Sequence, residues 1–180
     1  MKNTLSRTHL VYLGLASMVF IGLKLLFRQA GLSFFHFLLV PVDFLVSMLS
    51  GSDSSFIPGT GYYHEAPGFT IDKSCSGYNL WLLSFVMLTY LMVRYAKSHS
   101  RMFMAIPYAL LVTYGFTVIA NASRILISIT FEPLAQAVSG VDQTFIHEGT
   151  GIATNLTFLI LLYLLTEALL RSKNTYAKTA

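Results

Sequence analysis

Long apolar runs alternate with shorter polar stretches along the chain. The runs cover about 10–27, 32–49, 76–93, 102–131 and 150–170. Each is too long for a strand and lacks period-two alternation, so each predicts a helix. The second run is weakened by His36, Pro41 and Asp43. The stretch 51–74 is rich in Gly, Ser, Tyr and Pro and predicts a water-exposed loop. Within it, 62–72 predicts a short hairpin. Pro67-Gly68 suits its tight turn, and Phe69, Thr70 and Ile71 favour strand. The stretch 132–148 predicts a second loop, with Pro133 and Gly140 as breakers. The fold class expected is all-α: a polytopic membrane helix bundle of about five transmembrane helices, with a hairpin-like loop before Cys75. No internal repeat stands out, and the expectation is one domain, 1–180.

Composition turns these helices into membrane helices. Of 180 residues, 54% are hydrophobic and 11% charged, with mean hydropathy +0.63. Soluble domains carry about 25% charged residues. A disordered chain, a collagen and a typical soluble enzyme are excluded. No charge falls in 8–23, 74–93, 102–123 or 149–166, gaps of 16, 20, 22 and 18 residues. A spanning helix needs roughly 20 apolar residues. The apolar stretch from Leu10 to Phe27 is followed by no clear small-residue cleavage site, so no cleavable signal peptide is expected. The single cysteine, Cys75, excludes an internal disulfide and a CxxC pair. The net charge of +4 comes with no basic patch interleaved with aromatics, so no nucleic-acid partner is expected. Neither a metal nor a cofactor is expected.

Charge also orients the chain. If all five segments span and the N-terminus lies outside, eight basic residues fall on the cytoplasmic side and three outside. If the second segment only dips in, the N-terminus moves inside and the count is again eight to three. Both arrangements satisfy the preference of Lys and Arg for the cytoplasm. Both give the last three helices the same direction.

Those basic residues serve as a ruler at about 1.5 Å of rise per helical residue. Cys75 lies 19 residues before Arg94, Arg124 lies 23 after Arg101, and His147 lies 24 before Arg171. The corresponding heights are about 28, 35 and 36 Å, against a hydrocarbon core about 30 Å thick. All three therefore reach the outer membrane surface. Taken singly, Cys75 reads as a small hydrophobe, Arg124 as a snorkelling anchor and His147 as a loop histidine. Arg124 fits that plain reading least, because Leu126, Ile127 and Ile129 continue the apolar run beyond it. His9, His36, His64 and His99 read as surface or core histidines.

Together the three make chemical sense. A thiol attacks as its thiolate, which a nearby cation favours. His147 is suited to take the thiol proton and return it to a leaving amine. Arg124 is suited to hold a carbonyl or an oxyanion. Asn121, one turn before Arg124, and Asn79, one turn after Cys75, are candidate supporting hydrogen-bonders; polar glue between helices is the competing reading.

Three motifs carry a resemblance. The run Ala66-Pro67-Gly68-Phe69-Thr70-Ile71-Asp72-Lys73-Ser74-Cys75-Ser76-Gly77 resembles the cysteine motif of the exosortase/archaeosortase family. Asn121-Ala122-Ser123-Arg124-Ile125 resembles its arginine motif, and His147-Glu148-Gly149-Thr150-Gly151-Ile152 its histidine motif. They occur in the family's order and with spacers of similar size, over about 58–162. The chain is shorter than usual for the family and resembles its compact variants, such as the K-type exosortases. The resemblance implies a multi-pass cysteine transpeptidase or protease of the prokaryotic plasma membrane, with its site on the extracytoplasmic side. Its partners would be exported proteins bearing a C-terminal sorting signal: a short motif, a hydrophobic helix and a basic tail. Cys75 would form a thioester that an acceptor resolves, with Arg124 stabilising substrate or oxyanion and His147 moving the proton.

The competing expectation is a non-enzymatic assembly factor or small transporter subunit. There Arg124 would bind an anionic ligand or pair with Asp142 or Glu148. A haem-binding subunit ranks lower, since the five histidines do not form facing pairs within the spanning runs.

Overall fold

All five apolar runs are helical in the computed structural model, which describes residues 6–66, 68–96, 98–139 and 142–179. The helices are α1 (Arg7–Gln29), α2 (His36–Ser50), α3 (Tyr78–Tyr95), α4 (His99–Ser139) and α5 (Gln143–Thr179). A 3-10 turn, Leu32–Phe35, leads into α2, and a second, Ser74–Ser76, precedes α3. Five helical segments are long and apolar enough to cross a membrane. Outward-facing Leu, Ile, Phe and Met side chains such as Met18, Phe44, Leu111 and Leu165 suit a lipid surround.

The polar stretch after α2 is more ordered than a loop. Strands β1 (Ser54–Ile57), β2 (Gly61–His64) and β3 (Phe69–Ile71) form an antiparallel sheet in the order β1-β2-β3. The expected hairpin is β2–β3, with His64 opposite Phe69 and Tyr62 opposite Ile71. Gly68 sits at φ 86°, while Pro67 lies outside the described residues. Strand β1 was not expected, because Ser54 and Ser55 carry little strand preference. It is held instead by pairing with β2 across the turn at Pro58-Gly59-Thr60.

The second expected loop is corrected. Helix α4 does not stop at Phe131 but runs through Glu132 and Pro133 to Ser139, and α5 already begins at Gln143. Gly140 lies outside the described residues. A proline removes one backbone donor, and apolar helices absorb that loss where neighbouring groups compensate. Leu134, Ala135 and Ala137 then continue the helix with good helix formers.

Contacts group the chain into two units, one of residues 1–29, 79–115 and 159–180, the other of 30–78 and 116–158. In the first, Ala16, Phe85, Leu88, Ile106 and Ala109 form one buried cluster with Val19 and Phe20 against it. Val93, Met102 and Ala105 form another, against Tyr12 and Leu13. The Tyr12 ring lies 6.3 Å from His99, and Lys24 Nζ donates to Asn79 Oδ1 at 2.5 Å. Helix α1 therefore runs antiparallel to α3, and it starts at the end where α3 passes into α4.

In the second unit, α2 buries Leu38, Leu39, Val42 and Val46. It is tied to the sheet by a buried polar cluster. His64 Nε2 meets Asp43 Oδ1 at 3.0 Å, Ser54 Oγ donates to Asp43 Oδ2 at 2.9 Å, and Ser52 Oγ meets His64 Nδ1 at 2.8 Å. Before α2, Phe35 packs edge-on against Tyr78 at 5.4 Å, and Lys73 Nζ donates to the Ala30 carbonyl at 2.8 Å. The chain thus enters α2 beside Lys73 and Tyr78 and leaves it into the sheet. The sheet and Lys73 both lie just ahead of α3 in the chain, and Tyr78 is its first residue.

Candidate functional site

The second unit contains every residue of the site. Asp72 follows β3 and caps the turn that carries the cysteine. Its Oδ1 accepts from the Ser74 backbone N–H at 2.9 Å, the Ser74 hydroxyl at 2.6 Å and the Cys75 N–H at 3.1 Å. Such local side-chain to backbone bonds favour a turn over continued strand. Cys75 is free and half-buried.

Gly77 then turns the chain into α3 at φ 70°. A Cβ there would lie 2.9 Å from Asn121 Cγ and 3.1 Å from Thr117 Cγ2. Real Cβ atoms essentially never come within 3.0 Å of a neighbour, so the approach of α4 to the cysteine turn at Asn121 needs a glycine. The closeness is used: Asn121, fully buried, donates its Nδ2 to the Cys75 carbonyl. Asn121 is one of the two candidate supporting hydrogen-bonders; the other, Asn79, accepts from Lys24 and does not line the cavity described next. Helical spacing sets a residue's height but not the neighbour it faces.

Cys75, Arg124 and His147 line one cavity of about 310 Å³. Its remaining wall is largely apolar: Phe69, Ile71, Ile125, Ile129 and Pro133. On α4, Asn121, Arg124, Ser128 and Glu132 recur at spacings of three, four and four, which puts them on one helix face. Arg124, Ser128 and Glu132 all reach the cavity.

Arg124 lacks a counter-charge. Among the described residues no carboxylate pairs with it, Asp142 and Glu148 included. Its buried Nε has no hydrogen-bond partner. On α5, a Cβ at Gly151 would lie 3.0 Å from Arg124 Nε and Nη2, so α5 passes flat against the guanidinium. An uncompensated cation in an apolar segment is costly, and it marks a place for an oxygen-bearing ligand. Ser128 adds a second unmet group, with a buried hydroxyl that has no partner.

His147 is held by Glu132, which lies within α4 and not in the loop expected over 132–148. Its Nδ1 lies 2.8 Å from Glu132 Oε1. The imidazole is 45% exposed and Glu132 only 13%. A carboxylate accepts, so Nδ1 donates, and a neutral ring then keeps its lone pair at Nε2. Base and orienting acid are thereby both present, the arrangement that activates nucleophiles. The signal that finds Glu132 is its place two turns beyond Arg124 on the same face. Pro133 obscured it.

A thiol, an oriented imidazole and an unpaired guanidinium around one cavity suit acyl transfer: attack, proton transfer and stabilisation of a developing oxyanion. No family model, curated protein or solved structure matches the chain.

Proposed function

We propose that the protein is a membrane-embedded cysteine transpeptidase or protease acting on C-terminal sorting signals of exported proteins, in the manner of exosortases. The observation that carries this reading is the shared cavity: Cys75, the His147–Glu132 pair and the unpartnered Arg124 all face it. Cys75 Sγ attacks the scissile carbonyl while its proton passes to His147 Nε2. Arg124, with the Ser128 hydroxyl, receives the oxyanion. Collapse of the tetrahedral adduct breaks the C–N bond, and His147 returns the proton to the leaving amine. The thioester left on Cys75 is resolved by an acceptor amine or by water, which restores the thiol.

The site belongs on the extracytoplasmic face of a prokaryotic plasma membrane. Basic residues put the α3–α4 connection in the cytoplasm. Since α1 starts at that connection, the N-terminus is cytoplasmic too. Helix α2 then dips into the outer leaflet without crossing, and eight basic residues lie inside against three outside.

The test is processing of a co-expressed exported protein that ends in a sorting motif, an apolar helix and a basic tail. Cys75→Ala, Arg124→Ala and His147→Ala should each abolish it while membrane expression persists. Normal processing by Cys75→Ala would overturn the reading. The unpaired Arg124 also favours a second reading, a non-enzymatic membrane protein that binds an anionic ligand. That reading requires Cys75→Ser to be silent and Arg124→Ala alone to matter.

A further inference from the structure

Strand β3 ends the sheet. Its neighbour on one side is β2, and among the described residues no strand pairs on the other. Side chains of successive strand residues point to opposite faces. Yet Phe69, Thr70 and Ile71 all line the same cavity. Consecutive strand residues reach one cavity where it passes along the strand's edge, and the edge of β3 away from β2 carries no strand among the described residues.

An antiparallel strand sends the N–H and C=O groups of alternate residues to opposite sides. The open edge of β3 therefore presents at least one residue's unpaired backbone donor and acceptor. In an apolar surround such groups need a partner. The opposite edge of the sheet, β1, is also open, but its residues do not line this cavity.

We propose that the substrate binds as an extended peptide strand added to the outer edge of β3. This deepens the acyl-transfer reading and rests on it for the substrate class. Strand addition takes affinity from the main chain and specificity from alternate side chains. Here the edge leads directly to the nucleophile, since Cys75 follows Ile71 by four residues. A peptide paired with β3 is thereby delivered towards Sγ, and its alternate side chains meet the apolar wall formed by Ile125, Ile129 and Pro133. The sorting motif is held by its extended backbone and read through its alternate side chains.

The test uses the full chain in lipid nanodiscs, with a benzophenone amino acid at position 70 or, as control, at position 55 on β1. The probe is a pool of random-sequence hexapeptides, compared with the same pool N-methylated at alternate amides. Cross-linking at position 70 should exceed that at 55. Alternate N-methylation should lower it on the order of tenfold, as expected for lost backbone hydrogen bonds. Equal labelling at 70 and 55, or labelling indifferent to N-methylation, overturns the proposal. The measurement is repeated in Cys75→Ala, where no chemistry occurs. Backbone-dependent labelling there, combined with unimpaired processing by Cys75→Ala, would keep the peptide site and discard the thiol mechanism. Loss of labelling with Cys75-dependent processing intact would do the reverse.

Discussion

Glu132 Oε1 lies 2.8 Å from His147 Nδ1, across the connection between α4 and α5. This hydrogen bond between the two helices sets which imidazole nitrogen is free. Glu132→Gln retains the shape but can present either end of its amide to the ring. Processing should fall by roughly 10²-fold in Glu132→Ala and by less in Glu132→Gln, within the range of a positioned acid–base group. The measurement is the processing rate as a function of pH, because a purely structural role would lower the rate without reshaping the profile. Wild-type rates in Glu132→Ala would remove Glu132 from the mechanism.

Asn121 donates to the Cys75 carbonyl from a fully buried position. Asn121→Ala leaves that carbonyl without this partner and opens a small void. The expected cost is about 1–3 kcal/mol. It is read as a lowered melting temperature in detergent, with faster alkylation of Cys75 as its turn loosens.

Gly77→Ala should be worse than its size suggests. The residue sits at φ 70°, and the added Cβ would press on Asn121 and Thr117. Backbone strain alone costs on the order of 1–3 kcal/mol. Reduced membrane expression is the expected readout, and normal expression with normal processing would contradict the close approach.

The Asp43–His64 cluster predicts a separate stability defect. Asp43→Ala removes an acceptor from His64 Nε2 and from the Ser54 hydroxyl, both at buried or half-buried sites. The sheet should detach from α2 at a cost of about 1–3 kcal/mol. Limited proteolysis of the segment between Gly51 and Gly68 measures this directly.

The proposed topology predicts two opposite labelling results in intact cells. A membrane-impermeant thiol reagent should reach Cys75. In a Cys75→Ala background, Ser6→Cys should stay protected until the membrane is opened, because α1 starts beside the α3–α4 connection. Labelling of Ser6→Cys in intact cells would restore the arrangement with five full crossings.

The helices were legible in the sequence because long runs without charge, the kind a bilayer requires, lack the alternation of a strand. The meeting of Cys75, Arg124 and His147 at one cavity was legible for the same reason, since helical rise is constant. Asn79 shows where that arithmetic ends. It has a suitable height but bonds to Lys24, 55 residues away in the chain. Glu132 shows the opposite error, for Pro133 looked like a helix end and hid a residue that α4 carries onto the cavity.

By itself, then, the sequence determined the number of apolar helices, the hairpin before Cys75 and the three candidates Cys75, Arg124 and His147. These depend on composition, period and turn residues, all local. Only the tertiary structure decided which helix faces meet. It paired Glu132 with His147, left Arg124 unpaired, laid α1 antiparallel to α3 and brought Phe69, Thr70 and Ile71 to the cavity. Those outcomes depend on rotation of each helix about its axis and on close approach at Gly77 and Gly151. Packing between distant segments sets both, and no local pattern encodes them.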